Sequence, residues 1–147
     1  MPYSTDEDLT KIRPKIMNYG IENWAAQRVE AESYINRILD HQWYRPQCSD
    51  LGVDWRAYPF NSELLLNYAE QLKSLSCYKT LSLVYLYLMK DSPEEDAFER
   101  QHKLFSKLFA DELRAVLAAG IDYDWDEDEE LLSQETKRPM IRRLKRC

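Results

Sequence analysis

From Glu22 to about Trp43, apolar side chains return at steps near three and four: Trp24, Ala25, Val29, Ala31, Ile35, Ile38 and Leu39. That spacing gathers them on one face of an α-helix. A second run, capped by Asn61 or Ser62, carries Leu64, Leu65, Tyr68, Leu72, Leu75, Leu81, Tyr85 and Leu88 along one face to about Met89. Its second half, LSLVYLYLM, is apolar nearly all round, which predicts the central and most buried segment of the fold. A third run holds Phe98, Leu104, Phe105, Leu108, Leu113, Val116 and Leu117. Ser92 as N-cap and Pro93 at the first helical position open it, and Gly120 closes it. Ahead of these, STDEDLTKIRP offers Ser4 or Thr5 as N-cap, acids in the first turn and a stop at Pro14. This predicts a short lead-in helix, or an arm that docks elsewhere. YRPQCSDLGVDWRAYPFNS, with Pro46, Gly52 and Pro59, reads as a connector pinned by Trp55, Tyr58 and Phe60, and MIRRL near the end reads as a short strand.

The expected architecture is all-α: a small antiparallel helical bundle over residues 1–121, then an acidic loop and an extended basic tail over residues 122–147. A length of 147 residues suits one core. Only three glycines and six prolines favour long regular elements over turn-rich β architecture. A net charge of −6 argues against general affinity for nucleic acid phosphates. Cys48, Cys77 and Cys147 lack any CxxC spacing and are expected to be free thiols in a reducing compartment. No apolar run reaches the ~20 residues of a membrane span. Asp6, Glu7 and Asp8 stand where a signal peptide would be basic and then apolar, so a cytosol-like location is expected.

The charge pattern near the C-terminus changes sign. Charged residues from Asp122 to Glu135 are all acidic, and those from Lys137 onward are all basic. Counted from Asp124 as position 1, Asp126, Asp128 and Glu135 fall at positions 3, 5 and 12 of a calcium-loop pattern, a spacing that can wrap a hard cation. Against this, position 6 is Glu129 rather than the glycine that a sharp turn wants, and Pro139 stands where a second helix would run. A solvated acidic loop is the simpler reading, so no cofactor is expected, with calcium as the alternative. The basic tail mixes its cations with Pro139, Met140, Ile141 and Leu144. That mixture suits an extended peptide adding to a partner's sheet edge; a phosphate-gripping tail and a merely solvated one are the other readings.

Catalytic patterns are nearly absent. His41 and His102 lie on different predicted helices beside surface-type residues. Cys77 falls on the apolar face of the second long helix and is expected to be a buried small hydrophobe. No glycine-rich phosphate loop, GxSxG or HExxH occurs, and no enzyme is expected. Ten tyrosines and four tryptophans exceed what one small core needs, which raises the odds of assembly.

YSTDEDL at the start, LLLNYAEQLKSLSCYKTLSLVYLYLMKD in the middle and FERQHKLFSKLFADELRAVLAAGIDYDWDEDEE…RRLKR at the end together resemble the head–tail connector (adaptor) proteins of tailed bacteriophages. The likeness rests on order and spacing and covers most of the chain. It implies a helical bundle forming a ring, usually of twelve subunits, beneath the portal that closes the capsid, assembled in the host cytoplasm and kept at the head–tail junction of the virion. It implies a portal-binding arm made of Arg138, Pro139, Met140, Ile141, Arg142, Arg143, Leu144, Lys145 and Arg146. A tail-side neck or terminator protein would meet the lower face, and genomic DNA would pass the channel without specific binding. The acidic loop would border that channel; relatives often read DxDGDG there, and the glycines are missing here. Ring closure would use the first long helix and the tyrosine-bearing surface of the second. The competing readings are a calcium-binding helical protein using Asp124, Asp126, Asp128 and Glu135, and a small DNA-binding regulator using the basic tail.

Overall fold

The computed structural model describes residues 3–19, 21–89 and 95–125. It is an all-α helical bundle, as the periodicity predicts. Helix α1 (Asp6–Ile12) is followed by a single 3-10 turn, then α2 (Ala25–Ile38), which runs through a π-turn (Leu39–Tyr44) into α3 (Arg45–Leu51). A long connector leads to the one-turn α4 (Tyr68–Gln71), then α5 (Lys73–Met89) and α6 (Glu95–Ala119).

The bundle is organised around α5, which packs along α6 on one flank and α2 on the other. Both neighbours run antiparallel to it. Tyr78 and Tyr85 of α5 stack on Phe105 of α6, and Tyr85 also meets Phe98. On the α2 side, the ring of Trp24 lies near Tyr87, while the Lys79 ammonium rests 3.8 Å from the Tyr34 ring centroid. Two apolar clusters result: one joins the α2–α3 rod, Leu72, Leu75 and the C-terminal half of α6; the other joins α1, Trp24, the second half of α5, Phe98 and Phe105. The second half of α5 is less enclosed than its composition suggests. Leu81, Val84 and Tyr85 are buried, but Leu86 and Tyr87 are exposed.

Two boundaries differ from the sequence reading for identifiable reasons. The first rod continues past Pro46 to Leu51, although the proline was expected to mark a connector. Proline lacks an N–H and crowds the carbonyl four residues earlier, which normally breaks a helix. Here the preceding turn is widened: the Arg45 N–H bonds the Asp40 carbonyl five residues back, and Pro46 falls in the first turn of the new α-segment. Gly52 then stops the rod with φ 68°, a left-handed value that glycine takes without strain. The second rod starts at Lys73 rather than near Ser62. The intervening Leu64–Leu66 stretch is drawn into pairing with the chain end. Ser92, Pro93 and MIRRL lie outside the described residues.

The lead-in helix docks on its own bundle. Thr5 and Asp8 form a reciprocal capping box, and Asp8 also lies 3.6 Å from Lys73 of α5 and 3.8 Å from Lys11. Asp6 receives Arg28 of α2 at 3.1 Å, and Ser4 meets Ser76 at 2.9 Å. Burial pushes the Asp8 carboxyl up, but the Thr5 amide and hydroxyl and the two lysines outweigh it, leaving it below the usual aspartate value. A carboxyl depressed in the fold stabilises above its unfolded pKa of about 4 and loses that contribution as pH falls through the folded value. Asp8→Asn should therefore flatten the acid limb of stability below about pH 4, read as urea midpoints from pH 3 to pH 7. Thr5→Ala, which removes the N-cap, should cost about 1 kcal/mol at neutral pH in the same measurement.

Candidate functional site

The candidate site is the place where the chain leaves α6 and turns toward its charged C-terminal stretch. Gly120, at φ 90°, ends α6 in a backbone region that side chains resist. The next residues run antiparallel to the connector before α4. The Leu66 N–H donates to the Asp122 carbonyl at 3.1 Å and the Asp124 N–H to the Leu64 carbonyl at 2.8 Å, bracketing Leu65 and Tyr123 as a directly opposed pair.

Extended backbone sends alternate side chains to opposite faces. Ile121, Tyr123 and Trp125 enter the core cluster that also holds Leu65. Asp122 and Asp124 point the other way and are buried too. Asn67 Nδ2 donates to the Asp122 carboxylate at 2.5 Å, and the Asp122 N–H donates to Gln71 Oε1 at 3.0 Å. Asn67 and Gln71 sit one helical turn apart, so α4 offers both groups to the same strip of chain. Asn61 completes the clamp, its N–H donating to Tyr123 Oη at 3.2 Å.

The inward face closes on an aromatic cage. Trp43 and Tyr44, at the end of the π-turn, receive Tyr123 and Trp125 from above; Tyr44 and Trp125 stack with rings 5.5 Å apart and 11° from parallel, and Phe60 stacks on Tyr123. The Tyr44 hydroxyl donates to the Tyr58 carbonyl. Burial, reinforced by Cys48 and Tyr123, holds that hydroxyl well above its ordinary pKa, so it stays a neutral donor. Beside the cage lies a cavity of about 400 Å³ lined by Tyr44, Phe60, Leu64 and Trp125. The arrangement is a mechanical anchor: it fixes the chain as far as Trp125 against the bundle.

The sequence candidates distribute as follows. Asp124 is part of the anchor, five residues beyond the last residue of α6 and in extended backbone. A helix–loop–helix calcium site takes its ligands from a loop linking two helices, so the described part of this segment does not have that geometry. Asp126, Asp128 and Glu135 lie outside the described residues, as does the arm Arg138–Arg146. Among the described residues no three histidine, cysteine or acidic side chains converge as metal ligands would. The packed structure also passes the boundary drawn at residue 121, since Tyr123 and Trp125 are core residues.

His41 is exposed, whereas His102 is half-buried, its Nδ1–H donating to the Ser82 carbonyl of α5 at 2.8 Å. The Ser82 hydroxyl meets Ser106 at 3.0 Å, which makes this group a helix-to-helix tie. Cys77 is buried as expected; burial, with the negative charge of Asp8, pushes its thiol up to about 11 and keeps it un-ionised. Cys48, assigned to a connector from sequence, is a buried core residue of α3. The sequence reading missed the role of Tyr123 and Trp125, which sit inside an acidic run. The signal was present as strict alternation, apolar at 121, 123 and 125 and acidic at 122 and 124, a period-two pattern that marks a paired strand.

If the cage anchors the chain end, Trp125→Ala should destabilise the protein by about 3 kcal/mol or more in urea unfolding, the cost of emptying a packed aromatic site. Val29→Ala, at an exposed α2 position, should shift it by no more than about 0.5 kcal/mol.

Comparison with protein-family models, with curated proteins and with solved structures finds no match to this chain.

Proposed function

We propose that this chain is a structural virion protein, a non-enzymatic head–tail adaptor whose copies form a ring, of twelve subunits on the family pattern, between the portal and the tail. The observation that carries the reading is the anchored root of the C-terminal segment. A basic, apolar arm that must find a pocket on a partner gains from leaving its own domain at a fixed point, because ordering it on docking then costs less entropy. Aromatic stacking, main-chain pairing and the Asn67–Gln71 clamp supply such a point immediately before the acidic stretch. The arm Arg138–Arg146 then docks on the portal, a tail-side neck or terminator protein meets the opposite face, and DNA passes the channel without specific contacts.

Two further features support it. Among the described residues no helix is long and apolar enough to cross a membrane. Apolar and aromatic side chains also remain exposed on both helices assigned to ring contacts: Val29 and Tyr34 on α2, Leu86 and Tyr87 on α5. Exposed tyrosine at this density is what interfaces use. The placement at the virion neck, with assembly in the host cytoplasm, follows from the same reading.

The test is co-sedimentation with the cognate portal ring, comparing the full chain with one ending at Thr136. Binding by the full chain alone is the expected result. Equal binding by both would move the docking face to the bundle, and binding by neither would sink the adaptor reading and make calcium titration of the Asp124–Glu135 stretch the next experiment.

A further inference from the structure

Arg13 ends α1 and is unlike the other arginines whose charge is paired within the fold. Arg28 meets Asp6, Arg45 meets Asp40 and Arg114 meets Asp111. Arg13 instead donates from Nη2 to the neutral Gln101 Oε1 at 2.6 Å and lies 5.2 Å from the centroid of the Phe105 ring. Its Nε is enclosed with no acceptor, and none of the carboxylates whose side chains are described lies within ion-pairing distance of it. A half-buried guanidinium without a counter-ion is costly unless something brings one.

The guanidinium faces a cavity of about 420 Å³ between the α1–α2 connector and the first turns of α6. Lys15, Tyr19, Tyr85, Phe98 and Gln101 line it, and none of the described lining side chains is acidic. Burial keeps the Tyr85 hydroxyl protonated and thus able to donate. Two cations, hydroxyl donors and an apolar wall suit an acidic peptide, whose carboxylates pair with the cations while its stem lies on Phe98 and Tyr19.

The chain contains such a peptide. Asp126, Glu127, Asp128, Glu129 and Glu130 follow the anchored Trp125 without interruption. They start, however, at the wrong end of the molecule to fill their own cavity. Phe98 lines the cavity and Ala119 ends α6, and the helix between them spans about 32 Å at its rise per residue. Five fully extended residues cover at most about 18 Å.

We infer that the Arg13–Lys15 cavity receives the acidic stretch Asp126–Glu130 of a neighbouring copy, in a head-to-tail contact between opposite ends of two bundles. Such a contact leaves one cavity and one acidic stretch unused on every open chain of copies, so it propagates, and it closes into a ring where the rotation from copy to copy returns on itself. For its place in the particle the inference rests on the ring reading above, and it names the contact that would build the ring.

The test uses the full chain in sedimentation velocity over a concentration series. Wild type should associate, and more weakly as salt rises, because exposed charge pairs are screened. Arg13→Gln, or Lys15→Glu at an exposed position where folding is not at stake, should weaken association at least tenfold. Replacing Asp126, Glu127, Asp128, Glu129 and Glu130 by their amides should do the same. Mixing a cavity variant with the amide variant should then yield a one-to-one pair and nothing larger, since only one competent cavity and one competent acidic stretch meet. A mixture that stays monomeric, or wild type that is monomeric at every concentration, overturns the inference. Loss on cavity substitution without loss on amidation also overturns it, by assigning the cavity to a different carboxylate. Portal co-sedimentation separates the two proposals: association without portal binding removes the adaptor reading and leaves this contact, and portal binding by a strictly monomeric chain does the reverse.

Discussion

Helix α5 has to be covered on two sides, and most of the architecture follows from that requirement. Its buried set, Leu75, Cys77, Leu81, Val84 and Tyr85, spreads over more than one face, so a single partner helix could not remove it from water. At roughly 25 cal/mol per Å² of apolar surface, leaving either flank open would forfeit a large share of a marginal stability. α6 takes one flank and α2 the other. α1 is then needed to close the gap beside Ser76, where small hydroxyls let it approach: Ser4 and Ser76 share a hydrogen bond in a fully buried position. The polar residues of α5 are thus used at its seams, Ser76 toward α1 and Ser82 toward Ser106 and His102.

The chain end is held by a different kind of constraint. It runs in extended form through Tyr123, and it carries two aspartates that burial would penalise. The solution is to borrow main-chain partners from the connector and side-chain partners from α4, which lets the aromatic residues on the opposite face join the core. The anchor joins residues that are far apart in sequence, Leu65 with Tyr123 and Trp43 with Trp125, so it completes only when α2, the connector and α6 are already in place.

Legibility followed the range of the interactions involved. The long helices were readable because their faces repeat every three to four residues, and the start of α1 was readable to within one residue, Ser4 or Thr5, because capping is a local pattern; the structure selects Thr5. The continuation of the first rod past Pro46 was not, because it depends on a widened turn that no local propensity encodes. Nor was the late start of α5: Leu64, Leu65 and Leu66 fit a helical stripe, and only the presence of Tyr123 opposite them makes the extended form preferable. Cys48 was misplaced for the same reason as Pro46. The candidate site was half visible. Its acids stood out and its aromatics did not, since a run of charge masks the alternation beneath it.

The widened turn at Leu39–Tyr44 also sets the angular phase of everything after it. An α-helix advances about 100° per residue, so the additional residue held in this turn rotates α3 relative to α2 by about one such step. Removing a single residue between Leu39 and Tyr44 would restore ordinary helical bonding and yet swing Trp43 or Tyr44 away from Trp125. The position of the C-terminal root is therefore indexed to a residue count some eighty positions earlier in the chain. Insertions or deletions there would act like a change of gear, displacing the aromatic cage from Tyr123 and Trp125 without touching either residue.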